Sequence, residues 1–331
     1  MGDKRMVKYV IKRILWMIPI VLAVTILVFT LMIFCPGNPA EIILGATATE
    51  ADIAAKTEEL GLNDPYLVRL GDYMVSVFVK HDLGDSWISG VDIMGSIAER
   101  LPRTMILTLI TRFIAFGLGI PLGIIAATNQ NRWPDNLSML IALIGVAIPN
   151  FWLALMLILV FSVNLGWLPA MGIDNGIFSY ILPALSGCMG ALAGCARQTR
   201  SSMLEVIRAD YITTARSKGV PERDVIVKHA LKNALIPIIT LFGSTFGHLL
   251  GGMMIIETVF SLPGMGTYII GAVNNRDYPI VQGGTIFLAI TFSLCMLAVD
   301  LLYAAVDPRI KAQYASNKKV KKTKKEVPAN A

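Results

Sequence analysis

Three ionisable side chains interrupt long apolar segments of this 331-residue sequence and are the first candidates for chemistry: Arg112, Glu257 and Asp300. A charged group inside a bilayer is costly unless it faces the protein interior or a water-filled cavity, so such residues often mark a pathway or a structural contact. We expect Glu257, near the outer end of its segment, to form an outer gate or a fold-stabilising contact rather than a proton relay. Arg112 is a candidate for lining a pathway, and for Asp300 we favour a structural partner.

Small residues recur along the segment that carries Glu257. Gly243, Gly247 and Gly251 are spaced every four residues, so on a helix they form one stripe. Such a stripe lets a second helix approach closely or lines a narrow path, and we favour packing. His248 lies beside the stripe and is a candidate for contacting a substrate, although a hydrogen bond to a neighbouring helix is the favoured role.

Motifs for covalent chemistry and for nucleotide hydrolysis are absent from the sequence. It contains no G-x-x-x-x-G-K-[ST] loop and no H-E-x-x-H, C-x-x-C or C-x-x-C-H pattern. Cys188 and Cys195 lie seven residues apart on one predicted helix face. A soft-metal pathway is the alternative there, but small-residue packing is favoured. We therefore expect a chain that is not an enzyme and holds no metal or cofactor of its own, which leaves transport, channel activity or signalling.

Composition places the elements that carry these residues in a membrane. Hydrophobic residues make up 55% of the chain and charged residues only 16%, whereas soluble domains carry about a quarter charged residues. Six apolar segments are long enough to cross a bilayer, which takes roughly 20 helical residues. They are residues 14–34, 104–128, 137–165, 180–201, 236–260 and 283–306. The sequence therefore predicts an all-α integral membrane protein with six transmembrane helices, and Pro149 with Asn150 predicts a kink in the third.

Charge alternates sides in step with these six segments. Acids outnumber bases in 36–100, whereas the loops at 129–136 and 202–233 together carry seven Lys and Arg residues. Because basic residues collect on the cytoplasmic side, both termini are predicted inside, and the net charge of +6 needs no nucleic-acid partner. The predicted regions are 1–35, the cytoplasmic N-terminus and first span; 36–102, a small extracytoplasmic helical region; 103–306, the core with helices 2–6; and 307–331, a basic cytoplasmic tail.

A polar, basic island at residues 205–233 interrupts the apolar core. Residues 201–218 are good helix formers without an internal Gly or Pro, and Gly219 follows as a stop signal. Pro221 suits the start of a second helix, and Glu222 complements its positive N-terminal end. A helix, a glycine turn and a second helix against one membrane face form an elbow, which suits a protein that receives force from a soluble partner.

Several segments resemble the permease subunits of ABC importers, and they follow one another along nearly the whole chain. They are Leu60-Gly-Leu-Asn-Asp-Pro65, Leu101-Pro-Arg-Thr104, Asp210-Tyr-Ile-Thr-Thr-Ala-Arg-Ser-Lys-Gly219, His229-Ala-Leu-Lys-Asn-Ala-Leu-Ile-Pro237, Glu257-Thr-Val-Phe-Ser-Leu-Pro-Gly-Met-Gly266 and Asp307-Pro-Arg309. The most similar branch contains the dipeptide/oligopeptide/nickel permeases, of the B-type subunit. The resemblance implies a type I ABC importer permease fold in the inner or plasma membrane of a prokaryote.

In that family an E-A-A-x-x-x-G loop forms coupling helices that dock into a groove of the ATPase subunit. Thr213, Thr214 and Ala215 stand at the E-A-A places of this chain, and Gly219 stands at the glycine. The first two places depart from the general motif and the next proline lies further away, so the family's pairwise contacts are not transferred. The candidates for ATPase coupling are Asp210, Tyr211, Thr214, Ala215, Gly219, Val225 and Ile226.

The resemblance also implies partners and a mechanism. A complete importer would contain this chain, a homologous second permease, two ATPase subunits that bind ATP and Mg, and an extracytoplasmic substrate-binding protein, all assembled at membrane lipid. This chain would form half of a pathway that switches between inward- and outward-facing states as the ATPases close. Peptides are the expected cargo. A nickel or metal-chelate importer is the alternative within the branch, and a membrane docking protein without transport is the alternative from another class.

Overall fold

The computed structural model describes residues 3–45, 47–244 and 246–306, and helices dominate all three ranges. These ranges contain no strand, although an isolated antiparallel bridge joins Asp85 and Asp92. The basic tail predicted at 307–331 lies outside the described residues. The all-α class predicted from composition is therefore confirmed.

The α-helices follow one another along these ranges with short connections. They are α1 Asp3–Phe34, α2 Pro39–Leu44, α3 Glu50–Glu59, α4 Tyr66–Val75, α5 Ile93–Thr128, α6 Trp133–Ala147, α7 Asn150–Leu157, α8 Ile181–Gly187, α9 Met189–Ile207, α10 Asp210–Ser217, α11 Glu222–Asp224, α12 Leu231–Ser244, α13 Phe246–Val259, α14 Met265–Asn275 and α15 Tyr278–Val306. Wider π-helical turns occupy Ser76–Lys80, Ile158–Asn164 and Val225–Ala230, and a 3-10 turn occupies Gly176–Tyr180.

Within the described ranges, four helical stretches are long and apolar enough to cross a membrane. They are Val10–Phe34, Ile93–Thr128, Glu222–Gly243 and Tyr278–Leu301. Two bent pairs also qualify if each pair counts as one span. These pairs are Trp133–Ala147 with Asn150–Asn164, and Gly176–Gly187 with Met189–Ile207. Counted in this way, the helices agree with the six predicted spans.

Two spans begin well before the predicted residue, and another is sharply bent. α5 begins at Ile93 rather than near 104, because the polar stretch before the apolar segment continues the same helix. The third span bends by 97° at Pro149, which is extended at φ −60° and ψ 132°; proline lacks the amide donor that a helix interior requires. The predicted kink is thus a sharp turn. The fifth span begins at Glu222 instead of 236, because its polar first half is helical as well.

One compact unit comprises residues up to 114, 148–189 and 248–294. Its core includes a cluster around Ile93, Ile97 and Met265 and a second cluster around Leu107 and Ile256. The region that contains α2–α4 belongs to this unit, although α3 and α4 contain no fully buried residue.

A second compact unit comprises the described residues of 115–147, 190–247 and 295–306. One of its cores collects Met203, Ile212, Val225 and Ala230, together with Ala127 of α5. This elbow core lies at the polar island singled out in the sequence, so the island is packed by its own apolar side chains rather than being a loose loop.

Candidate coupling elbow and carboxylate hub

The first arm of the elbow is shorter than predicted. The sequence predicted one helix over 201–218, but α9 ends at Ile207 and α10 begins at Asp210. Ala209 between them is extended at φ −73° and ψ 146°. The Arg208 side chain donates to the Gln130 side chain at 3.0 Å, and Asp210 complements the positive start of α10. The prediction of a single helix was therefore wrong. Neither Arg208 nor Ala209 is a helix breaker, so the sequence contained no local signal for the break.

Gly219 ends the first arm as the sequence predicted. Its φ of +76° is left-handed, and its amide donates to the Arg216 carbonyl at 2.9 Å, while the Val220 amide donates to the Ala215 carbonyl at 3.3 Å. This pair of bonds is a Schellman motif, in which a glycine avoids the steric cost of the left-handed conformation. A Cβ added at Gly219 would meet nothing within 4 Å, so this position requires glycine for its backbone and not for space.

The second arm begins at Pro221, which caps α11 from an extended conformation. Across the turn, the Arg216 guanidinium donates to both Glu222 carboxylate oxygens, at 3.1 and 2.6 Å. This hydrogen bond raises the pKa of Arg216. Because both side chains are exposed, the pair bridges the two arms but contributes little stability.

One face of the elbow is buried and the other is open. Ile212 of α10 and Val225 of the second arm are completely buried in the elbow core, and Ala215 and Ile226 pack partly against it. The exposed side chains of α10 are Asp210, Tyr211, Thr213, Thr214, Arg216 and Ser217. The Tyr211 hydroxyl accepts a hydrogen bond from Asn233 at 2.8 Å, so the ring is positioned while its surface stays open. Most predicted coupling residues therefore lie on the open face or at its edge, whereas Val225 points inward.

Glu257 lies in a buried cluster that we call the carboxylate hub, formed by Thr104, Glu257 and residues 264–267. Glu257 is only 1% exposed. Its carboxylate accepts from the Thr104 hydroxyl at 2.5 Å, the Gly266 amide at 2.7 Å and the Thr267 amide at 3.3 Å. The Thr104 oxygen in turn accepts from the Met265 amide at 2.8 Å. Two of the segments that carry the family resemblance, 101–104 and 257–266, thus meet in space.

In the hub, the Glu257 carboxylate caps the N-terminus of α14 although it belongs to another helix. Gly266 and Thr267 belong to the first turn of α14, whose free amides and positive dipole favour a negative group. A Cβ added at Gly264 would overlap the Glu257 carboxylate, and one added at Gly266 would lie 2.8 Å from it. Glycines therefore allow the carboxylate to reach the backbone. This geometry is that of a fold-stabilising contact, one of the two roles expected for Glu257.

The other predicted pathway residues lie on α5, α12 and α13. Arg112 is buried at 1% exposure on α5. Gly243 is buried, whereas Gly251 is exposed and a Cβ there would meet nothing within 4 Å. Gly247 and His248 lie on the α13 backbone, but their side-chain surroundings fall outside the described part of the chain. The pathway role of these residues stays a prediction.

Two contacts escaped the sequence analysis. On α5, a Cβ added at Gly119 would lie 2.8 Å from Cys195 Cβ, and one at Gly123 would lie 2.6 Å from the Ala196 carbonyl oxygen, so α5 and α9 approach closely. The signal was the G-x-x-x-G spacing at 119–123. The place of Cys195 in this contact agrees with small-residue packing.

The second contact that escaped the sequence analysis is an ion pair. Asp135, which is 2% exposed, accepts two hydrogen bonds from Arg200, both at 2.7 Å. It also accepts the Asn131 amide at 2.9 Å. The pair fixes the start of α6 against α9. An acid just before the apolar segment 137–165 was the available signal.

A helical elbow joined to apolar spans, in a chain without a nucleotide-binding loop, defines a multi-pass membrane subunit of the permease class. The family model described as "Binding-protein-dependent transport system inner membrane component" matches residues 119–312, and the model of the N-terminal part of such membrane components matches residues 6–108. The chain belongs to this family of transport-system inner membrane components. It is therefore a multi-pass inner membrane protein.

Curated relatives match over nearly the whole chain. The dipeptide transport system permease protein DppB of Alkalihalophilus pseudofirmus is 44% identical over 333 residues, covering 92% of this chain and 100% of the relative. The glutathione transport system permease protein GsiC of Escherichia coli K12 is 43% identical over 306 residues, covering 92% and 99%. The inward-facing MetNI methionine ABC transporter shares the fold, with a TM-score of 0.54 at 21% identity over 65% of this chain and 97% of that one. This likeness confirms the type I importer permease fold.

Proposed function

We propose that the chain is one of two transmembrane subunits of an ATP-driven importer for di- and oligopeptides. The observation that carries this proposal is the end-to-end likeness to permeases named for dipeptides and for glutathione, at 44% and 43% identity. Glutathione is itself a tripeptide, so both names describe small peptides. These relatives favour peptides over the nickel alternative.

The open face of the elbow is the surface through which an ATPase drives the permease. Asp210, Tyr211 and Thr214 are exposed on α10, and Gly219 fixes the turn that follows them. Ala215 and Ile226 are partly buried at the edge of this face. Val225 is completely buried, so we assign it to the packing of the elbow and not to direct contact with the ATPase.

The partners follow from the division of labour in such a transporter. This chain supplies half of the pathway, and a homologous second permease supplies the other half. Two ATPase subunits bind ATP and Mg, because this sequence contains no P-loop. An extracytoplasmic binding protein delivers the peptide, in keeping with the description of the matched family as binding-protein-dependent. The chain itself performs no catalysis.

The charge distribution supports a membrane orientation with both termini in the cytoplasm. Exposed Arg208, Arg216 and Lys218 lie on the elbow, while the region around α3 and α4 is acidic. Basic loops remain on the cytoplasmic side of membranes. The elbow is therefore placed where a cytoplasmic ATPase can reach it.

The test is a reconstituted complex of both permeases, the ATPases and the binding protein in lipid. ATP hydrolysis should rise when loaded binding protein is added, and peptide uptake should require ATP. Gly219→Trp, which combines left-handed strain with a bulky exposed ring, should impair assembly or coupled uptake. Gly219→Ala is the matched control, because it costs about 1 kcal/mol of the same strain without the bulk. If Gly219→Trp left assembly and coupled transport unchanged, the elbow would not be the docking site. Separately, peptide uptake that does not require ATP would exclude an ABC importer.

A separate experiment identifies the cargo. Thermal unfolding of the partner binding protein is measured with dipeptides, longer peptides and nickel chelates. At equal concentration, peptides that bind more tightly should raise the unfolding midpoint further, since a ligand stabilises only the state that it binds. If only nickel chelates raised the midpoint, the cargo would be a nickel chelate and not a peptide. The assignment as an ABC importer would stand.

A further inference from the structure

The segment formed by α4 and the following π turn, residues 66–80, has one apolar face turned toward α1. Phe29 of α1 contacts the rings of Tyr66 and Tyr73, with centroids 5.9 and 5.6 Å apart. The Thr30 hydroxyl lies 2.8 Å from the Tyr66 hydroxyl, and Val77 is buried in the same core as Met32. This face therefore attaches the segment firmly to the end of the first span.

The same segment has a second apolar face that nothing in the described part of the chain covers. Its large side chains are exposed, most of all Leu67 at 77% and Val79 at 70%. The members of this exposed face are Leu67, Val68, Val75, Phe78 and Val79. Five large apolar side chains exposed along one short segment are too many for a surface in contact with water alone.

The depth of the segment indicates what covers this face. Phe29 and Thr30 lie inside the membrane-spanning stretch Val10–Phe34. Five residues separate Phe29 from Phe34, and at about 1.5 Å per residue this places the contact roughly 7 Å below the end of the span. An amphipathic helix in a membrane interface buries its apolar face about 5–10 Å into the boundary between headgroups and acyl chains. The two depths agree.

Side chains next to the exposed apolar face also fit a position at the membrane surface. Leu31 and Phe34, in the last turn of α1, are exposed, as expected for a span that faces lipid. On the remaining sector of residues 66–80, Asp72 and Lys80 are exposed polar groups. The segment therefore has a protein face, an apolar face and a polar face, which is the arrangement of a helix lying flat at a membrane surface.

We propose that residues 66–80 form an interfacial membrane anchor, with Leu67, Val75 and Val79 inserted among phospholipid acyl chains. The occupant of the exposed face is lipid, because the face is continuous with the apolar end of a membrane span. The anchor ties the outer helical region to the bilayer beside α1. The proposed membrane orientation matters to the anchor only because it decides which leaflet the anchor enters.

The test uses Leu67→Cys and Val79→Cys, each labelled with an environment-sensitive fluorophore in the complete transporter in lipid nanodiscs. Ala51→Cys, exposed on α3, is the matched control from the same outer region. Wild type treated in parallel reports labelling of the four native cysteines. Nitroxide groups on phosphatidylcholine acyl chains quench lipid-embedded labels, and iodide quenches labels in water.

At positions 67 and 79, the ratio of nitroxide to iodide quenching should exceed that at position 51 by about threefold or more, as expected for side chains buried in the interface. Equal ratios at the three positions would show that the face is in water and would overturn the anchor. Protection of positions 67 and 79 from both quenchers would show that a protein partner covers the face, and it would overturn the anchor too. Because Leu67 and Val79 are both largely exposed, neither substitution removes core packing.

Discussion

Glu257→Gln separates a structural role of the carboxylate hub from a role in the pathway. The glutamine keeps the shape of the side chain but replaces one acceptor oxygen with an NH2 group. The Thr104 hydroxyl and the amides of Gly266 and Thr267 then compete for one neutral oxygen. Hydrogen bonds to charged groups contribute about 1.5–3 kcal/mol each. Losing one and weakening two should lower the free energy of unfolding by roughly 2–4 kcal/mol.

Thermal unfolding of the purified complex measures this loss. For a chain of this size, 1 kcal/mol corresponds to about 2 °C, so the midpoint should fall by roughly 4–8 °C. Thr258→Val is the matched control. It changes the next residue of the same helix, which is exposed and whose hydroxyl donates to the Met254 carbonyl of its own helix. This control should stay within about 0.5 kcal/mol of wild type.

A double-mutant cycle assigns the effect to the hub. Thr104→Val removes both the donor to Glu257 and the acceptor of the Met265 amide. Combined with Glu257→Gln, its cost should be less than additive by at least about 0.5 kcal/mol, because the two side chains are in contact. A Glu257→Gln transporter with the wild-type midpoint but without peptide uptake would refute the structural reasoning and assign the carboxylate to the pathway.

Two further predictions concern the second unit. Gly123→Val should cost about 1–3 kcal/mol of stability by overpacking against α9. The control Gly117→Ala lies in the same helix with open space around it and should be neutral or stabilising. Equal unfolding midpoints for the two variants would contradict close α5–α9 packing. Asp135→Asn should cost roughly 2–3 kcal/mol, because it breaks a largely buried pair with Arg200. Glu222→Gln, which breaks an exposed pair, should cost less than about 1 kcal/mol, and similar losses at both acids would contradict the role of burial.

The features predicted correctly from the sequence have local signals. Long apolar segments gave the number of spans, since a bilayer needs a fixed length of apolar helix. Gly219 and Pro221 marked the elbow turn because glycine can adopt left-handed backbone angles and proline fixes its own φ. The break at Arg208–Ala209 had no such signal. Contacts such as that between Arg208 and Gln130 join distant parts of the chain, and local pattern does not report them.

The site was predicted less completely, for two physical reasons. Thr104 and Glu257 lie 153 positions apart, so their spacing along the chain contains no information about their contact. Val225 was a docking candidate because it is an apolar side chain of the second arm, but the structure buries it in the elbow core. That arm contains the π-helical segment Val225–Ala230, in which hydrogen bonds reach one residue further than in an α-helix. No local sequence signal marked this segment or the side of the arm that is buried.

In the proposed coupling, the two faces of the elbow have different roles. The open face of α10 would meet the ATPase, while Ile212 and Val225 join α10 to the second arm through the elbow core. From Glu222 the second arm runs without a break through the π segment to Ser244, so it is continuous with the fifth span. In the proposed coupling, a displacement of α10 would therefore pass to that span through the packed side chains of the elbow core. Packed contacts of this kind can transmit motion because they resist compression. Under the proposed coupling, the buried Val225 would therefore pass on the motion of α10 instead of contacting the ATPase.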